Sequence, residues 1–177
     1  MKFIETSLVG AYLIEPEAHG DERGFLVRTF CADEFASQGL NTSWVQCSTV
    51  FNPKAGTLRG MHYQKSPHAE IKLVRCTMGE VQDVIIDLRP DSPTYKRWFS
   101  TELTVENRRS IYIPEGFAHG ALTMVDHSEL LYQMSATYHA ESAAGVRWDD
   151  SEFDIQWQNS LPLTMSIRDA NFPNFLP

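Results

Sequence analysis

Two histidines, His62 and His119, lie in patterns whose residue types and offsets suit chemistry. The first pattern is Gly56-Thr57-Leu58-Arg59-Gly60-Met61-His62-Tyr63-Gln64, with Glu70 and Gly79 downstream. The second is Ile113-Pro114-Glu115-Gly116-Phe117-Ala118-His119-Gly120. An imidazole changes charge near neutral pH, so it can carry a proton or ligate a metal. His62, Glu70 and His119 together make a two-histidine, one-carboxylate set of the kind that holds a transition metal. Lys72 stands in an apolar stretch, and lysine is rarely buried without a partner. Near the C-terminus, Ser166-Ile167-Arg168-Asp169 is an S-x-x-D helix-capping pattern.

Strands must position these groups. Stretches rich in β-branched and aromatic residues recur between turn signals, over Tyr12–Glu15, Phe25–Thr29, Ser43–Phe51, Thr57–Gln64, Glu70–Thr77, Glu80–Leu88, Lys96–Leu103, Ser110–Ile113, Ala121–Asp126 and Leu130–Thr137. The breaks carry Asn52-Pro53-Lys54-Ala55-Gly56, Met78-Gly79, Arg89-Pro90-Asp91-Ser92-Pro93 and Pro114-Glu115-Gly116. This rhythm predicts an all-β sandwich or barrel. One helix is expected over Ala32–Gln38, ended by Gly39, and a helical turn at Ser166–Asp169. No repeat or linker interrupts the 177 residues, which read as one domain, 1–177.

In their order and strand-rich setting, the two histidine patterns resemble the paired motifs of the cupins, which set histidines on neighbouring strands facing the inside of a jelly-roll β-barrel or sandwich. The first motif departs from the metal-binding form, because Gln64 replaces the second histidine of H-x-H. Further segments occur in order: Asp21–Phe25, Leu58–Gln64, Lys72–Arg75, Asp83–Arg89, Ser92–Thr94, Pro114–Gly120, Tyr132 and Ser166–Asp169. From about Ile4 to Pro173 the chain resembles the dTDP-4-dehydrorhamnose 3,5-epimerase family.

That resemblance implies a metal-free and cofactor-free isomerase. Its substrate is a nucleotide-linked 4-keto-6-deoxy sugar, inverted at C3 and in some members also at C5 through an enolate. Such a reaction needs a base, an acid on the other face of the ring, and donors for the enolate oxygen. By resemblance His62 is the base, Asp169 its carboxylate partner, Tyr132 the acid and Lys72 a cation near the enolate. Arg59 and His119 match groups in the same pocket. Arg23, Phe25, Gln46, Ser48 and Tyr138 match ligand-contacting positions. Glu70 stands where many relatives carry Gln and receives no role. His19, His68, His127 and His139 are expected at the surface, and Arg108-Arg109 in a solvated turn.

Three departures bear on the substrate. Arg28 replaces a family carboxylate that accepts a hydrogen bond from the thymine N–H; a guanidinium instead suits the acceptors of cytosine, so a CDP-linked substrate is an alternative to a dTDP-linked one. The segment from Gln46 to Asn52 differs at its later polar positions, including Ser48, and Ala121 replaces a common Phe. Inversion at C3 alone, a metal-dependent cupin on His62, Glu70 and His119, and a non-catalytic sugar-binding cupin are the other readings.

Composition narrows the partners. A formal charge of −8 argues against general nucleic-acid binding. No apolar run is long enough to span a membrane, and the N-terminus lacks a signal-peptide core, so a cytoplasmic protein is expected. Cys31, Cys47 and Cys76 are too few and too scattered for a disulfide framework or a zinc knuckle. The apolar strand Asp83–Leu88, read as an edge strand, and the resemblance together suggest a homodimer, with N-terminal residues reaching into the neighbouring site.

Overall fold

A computed structural model describes residues 1–158 and 164–176. Its strands are β1 (Lys2–Glu5), β2 (Tyr12–Glu15), β3 (Ala18–Asp21), β4 (Gly24–Val27), β5 (Gln46–Asn52), β6 (Leu58–Gln64), β7 (Lys72–Met78), β8 (Glu80–Asp87), β9 (Trp98–Thr104), β10 (Ser110–Ile113), β11 (Phe117–Thr123), β12 (Ser128–Met134) and β13 (Ala143–Gly145). Two short helices, α1 (Ala32–Ser37) and α2 (Ile167–Ala170), complete the chain. A six-stranded sheet in the order β1-β2-β10-β7-β12-β5 faces a five-stranded sheet in the order β13-β6-β11-β8-β9, and β3-β4 form a separate hairpin. The all-β expectation holds, in its sandwich form: the two sheets do not join into one closed barrel among the described residues.

The core between the sheets follows from strand alternation. Val74 and Cys76 of β7, Leu130 of β12, Ile85 of β8 and Ala121 of β11 meet there, each at most 5% exposed. Fully burying one such large aliphatic contributes roughly 1.5–3 kcal/mol. Outside the six-stranded sheet, Phe35 of α1 packs on Ile14, Leu73 and Tyr112. Outside the five-stranded sheet, the chain after β13 covers Met61, Val84, Ile86 and Ala118 with Phe153, Ile155, Trp157 and Phe175. β8 is therefore no edge strand. It lies between β11 and β9, buried along nearly its whole length, and its apolar run reflects burial on both faces.

Most strands form close to their expected bounds, and four depart informatively. β11 begins at Phe117 rather than Ala121, because Gly116 (φ +78°) completes the turn and the strand resumes at once. Gly120 then lies inside the strand, where the backbones of β6 and β11 cross closely. A Cβ on Gly60 would meet Gly120 Cα at 2.6 Å, so neither position accommodates a side chain. β1 and the polar hairpin strand β3 carry little alternating apolar signal, and β13 is only three residues long.

Candidate active site

At one end the core gives way to a cavity of about 460 Å³. Register explains which side chains reach it. In the six-stranded sheet, Gln46 pairs with Met134 and Met134 with Lys72; Ser48 pairs with Tyr132. Gln46, Ser48 and Val50 alternate along β5 onto one face, and Lys72, Tyr132 and Met134 stand beside them. In the facing sheet, His62 of β6 pairs with His119 of β11. Arg59 and Gln64 of β6 complete that wall, and Glu70, just before β7, lies beside Lys72. The mouth is lined by Tyr138, Ala143, Ala144 and Arg168.

Asp169 arrives from the C-terminal segment. Thr164 bridges Thr57, with Leu58 N–H donating to Thr164 O at 2.9 Å, which docks the segment against the start of β6. The hydroxyl of Ser166 then accepts the Asp169 N–H at 3.0 Å and caps α2. This leaves the Asp169 carboxylate free for the cavity. Its Oδ1 lies 2.9 Å from His62 Nε2, and its Oδ2 accepts the Gly60 N–H at 3.3 Å. Burial lowers the His62 pKa below its usual value, against the pull of Asp169, so the imidazole is neutral and able to accept a proton at pH 7.

Tyr132 enters from the opposite sheet. Burial, and then the negative charge of Asp83, push its phenol well above the usual range, opposed by Arg59, so it keeps its proton. His119 meets the Tyr132 ring edge to face at 5.6 Å, and its Nε2 lies 2.8 Å from Asp83 Oδ2. Arg59 donates through Nε to Asn52 Oδ1 at 2.7 Å, which orients the guanidinium beside the cavity. Lys72 is buried, with Nζ 3.0 Å from Glu70 Oε1 and 3.4 Å from the His62 carbonyl. A neutral base, a protonated phenol across from it and cations between them are the parts needed to move protons on a carbon beside a ketone.

His62, Tyr132, Asp169, Lys72, Gln46, Ser48, Arg59, His119 and Tyr138 thus gather at one cavity. Arg23, Phe25 and Arg28 do not. Arg23 and Phe25 lie on the β3-β4 hairpin and Arg28 follows it, lining no part of this cavity. Arg23 pairs with Asp21, and Arg28 Nη1 contacts Glu34 at 3.2 Å. The Arg108 guanidinium sits 4.1 Å over the Phe25 ring, while Arg109 pairs with Glu15, so these two arginines are engaged rather than simply solvated.

His62, Glu70 and His119 do not converge as metal ligands. Their donor atoms are turned to Asp169, Lys72 and Asp83 respectively. Among the described residues the one close group of His, Cys and carboxylate donors is His68, His139 and Glu141, within 4.8 Å. There the two imidazoles are half-buried, not at the surface as expected, and stack at 3.6 Å and 14°. Their in-plane lone pairs run side by side instead of meeting at a point.

Asn52, Asp83, Glu70 and Arg168 are the site residues that sequence reasoning left without a role. Arg168 lies inside the capping pattern itself, next to Asp169. Asp83 opens the Asp83–Arg89 segment, but no local pattern ties it to His119, or Asn52 to Arg59, the residues they contact.

The sequence profile of the dTDP-4-dehydrorhamnose 3,5-epimerase family matches residues 5–176. The chain belongs to the dTDP-4-dehydrorhamnose 3,5-epimerase family. It is 39% identical to the dTDP-4-dehydrorhamnose 3,5-epimerase of Shigella flexneri over 99% of this chain and 97% of that one. The crystal structure of the Bacillus anthracis dTDP-4-dehydrorhamnose 3,5-epimerase, with TDP and PPi bound, superposes with a TM-score of 0.94 at 39% identity, covering 98% of this chain and 99% of that one. The Legionella pneumophila dTDP-6-deoxy-D-glucose-3,5-epimerase, in complex with dTDP-4-keto-L-rhamnose, gives 0.93 at 34% identity, covering 98% and 92%. As a member of this epimerase family the chain is an isomerase acting on a nucleotide sugar. No helix among the described residues is long and apolar enough to cross a membrane.

Proposed function

We propose that this epimerase inverts C3, and then C5, of a dTDP-linked 4-keto-6-deoxy sugar, with His62 as base and Tyr132 as acid. The observation that carries the assignment is the His62–Asp169 pair on one wall of the cavity with the protonated Tyr132 on the other. His62 takes the proton from the carbon beside the C4 ketone. The electrons of that C–H bond move to the C4 oxygen as an enolate, and Asp169 stabilises the new imidazolium. Lys72 and Arg59 supply positive charge for the oxygen. Tyr132 then gives its proton to the opposite face of the carbon, and exchange with solvent resets both groups. Incubation of the enzyme with a dTDP-linked 4-keto-6-deoxyhexose in D2O, followed by NMR, tests this directly. Deuterium is expected at C3 and C5 with inversion; no exchange at C3 refutes the assignment, and exchange at C3 alone restricts it to one carbon.

The working unit we propose is a homodimer in which the β3-β4 hairpin of one protomer completes the cavity of its partner. Support comes from the hairpin itself: Phe25 and Leu26 are 56% and 75% exposed, and Arg23 and Phe25, expected from the resemblance to contact ligand, lie off their own chain's cavity. Mixing two inactive variants, H62N and R23A/F25A, is expected to restore activity through mixed dimers that hold one complete site. Absence of any restored activity, with mixed dimers demonstrated by mass, would count against the swapped hairpin.

A further inference from the structure

Lys72 has a flexible stem, an ammonium without directional preference, and a job that demands a fixed position. Among the described residues its one hydrogen bond is the long one, 3.4 Å, to the His62 carbonyl. What holds Nζ is Glu70, 3.0 Å away, with both side chains about nine-tenths buried. The Glu70 carboxylate is itself held. Its Oε2 accepts from Gln64 Nε2 at 3.2 Å, and its backbone is stapled through Ile71, whose N–H donates to Ser135 Oγ at 2.8 Å and whose carbonyl accepts from Ser135 N at 3.0 Å. Gln64 in turn donates to Thr137 O at 3.1 Å and accepts from His139 N at 2.6 Å. A single polar chain therefore runs from Lys72 through Glu70 and Gln64 to the segment that presents Tyr138 at the cavity mouth.

We propose that Glu70 is a positioning residue that fixes the Lys72 ammonium for the enolate oxygen and, through Gln64, couples it to the Thr137–His139 segment. The proposal rests on the epimerase mechanism given above. Unpaired, either charge would be costly in this buried corner. Paired, they cancel in the resting enzyme and hold Nζ where negative charge later develops on the substrate. An amide at position 70 keeps an oxygen facing Nζ but loses the charge and the second oxygen that accepts from Gln64, whereas alanine removes the anchor.

The test compares E70A, E70Q and K72M, alone and combined. E70A is expected to lose about thirtyfold in kcat, as misplacement of a reacting group does, with KM changed by less than about threefold. E70Q is expected to recover most of that loss. In the K72M background, with residual deuterium exchange followed over long incubations, E70A should cost nothing more, because Glu70 acts through Lys72. Wild-type kcat in E70A, or an equal loss with and without Lys72, overturns the proposal. A second readout needs no substrate: the side-chain 15N–1H signal of Lys72, assigned by its absence in K72M, should be sharp in the wild type and E70Q and broadened away in E70A. A sharp signal in E70A sinks the positioning role whatever substrate the enzyme uses, while failure of the wild type to exchange protons counts against the mechanism and leaves this spectrum to decide on Glu70.

Discussion

Asp169 Oδ1 lies 2.9 Å from His62 Nε2, although 107 positions separate the two residues. The contact depends on the C-terminal segment docking along β6 and on Ser166 satisfying the α2 terminus, so that the carboxylate is not spent as its own cap. Fold and chemistry meet in this pair, because the same anchoring that docks the C-terminal segment also orients His62, the proposed base.

Asp169→Asn should keep the shape of the pair and lose its charge. The amide can present the wrong partner to the imidazole and cannot stabilise its cation, so kcat should fall by roughly 10²–10⁴. The pH profile gives a second readout. Burial lowers the His62 pKa and Asp169 raises it, so the wild-type kcat/KM should be level at neutral pH and fall only as pH drops below the ordinary histidine value of 6.5. Without the carboxylate the limb should move to still lower pH. A limb that stays in place, or moves up, would contradict the pairing.

Tyr132→Phe separates proton removal from proton return. His62 remains able to take a proton and give it back on the same face, so exchange into D2O at C3 should continue. Inversion, which needs a donor on the opposite wall, should fall by roughly 10²–10³. NMR of the recovered sugar distinguishes deuterium with retained configuration from deuterium with inverted configuration. Full inversion by the variant would remove Tyr132 from the acid role.

The nucleotide base is the next expectation. Arg28 stands where a thymine-accepting carboxylate is common in the family, yet its guanidinium is largely exposed and pairs with Glu34. A guanidinium already engaged on its own chain gives cytosine no special donor. Calorimetric titration should therefore show dTDP binding more tightly than CDP, and Arg28→Ala should change that preference by less than about twofold, as for most exposed ion pairs. Tighter CDP binding that disappears in the variant would reinstate cytosine.

Much of this was legible in the residues. The strand rhythm between Gly and Pro breaks located most of the strands, and the family resemblance carried by the ordered motifs pointed to His62, Lys72, His119, Tyr132 and Asp169 as one site, which the observed register and the docked C-terminal segment bring together. Partners that act at one remove were not legible. The spacing of Glu70 suggested a metal ligand, and nothing in it pointed to the pairing with Lys72, which arises only in the folded chain. β8 was misplaced at an edge because an apolar run shows burial without showing which strands cover it. The hairpin residues Arg23 and Phe25 followed the family pattern but lie off their own cavity, a fact of chain path that local sequence does not encode.

The segment Asp87 to Thr94 shows that a motif can mark stability rather than catalysis. Asp87 is fully buried and accepts from Arg89 N at 3.0 Å, Arg89 Nε at 2.8 Å, Ser92 Oγ and Thr94 Oγ1 at 2.6 Å. Burial raises its pKa, but the hydrogen bonds from Arg89, Ser92 and Thr94 outweigh it and hold the carboxyl at about 2, against 3.8 for the free group. A folded-state value below the unfolded one contributes stability that is fully present above about pH 4 and is lost as pH falls towards 2. The shift corresponds to on the order of 2 kcal/mol. Urea unfolding across this range should show the wild type approaching the stability of Asp87→Asn as acid protonates the carboxyl, with a constant gap between them above pH 4. A gap that persists unchanged down to pH 2 would mean that the ionised Asp87 is not what holds this turn.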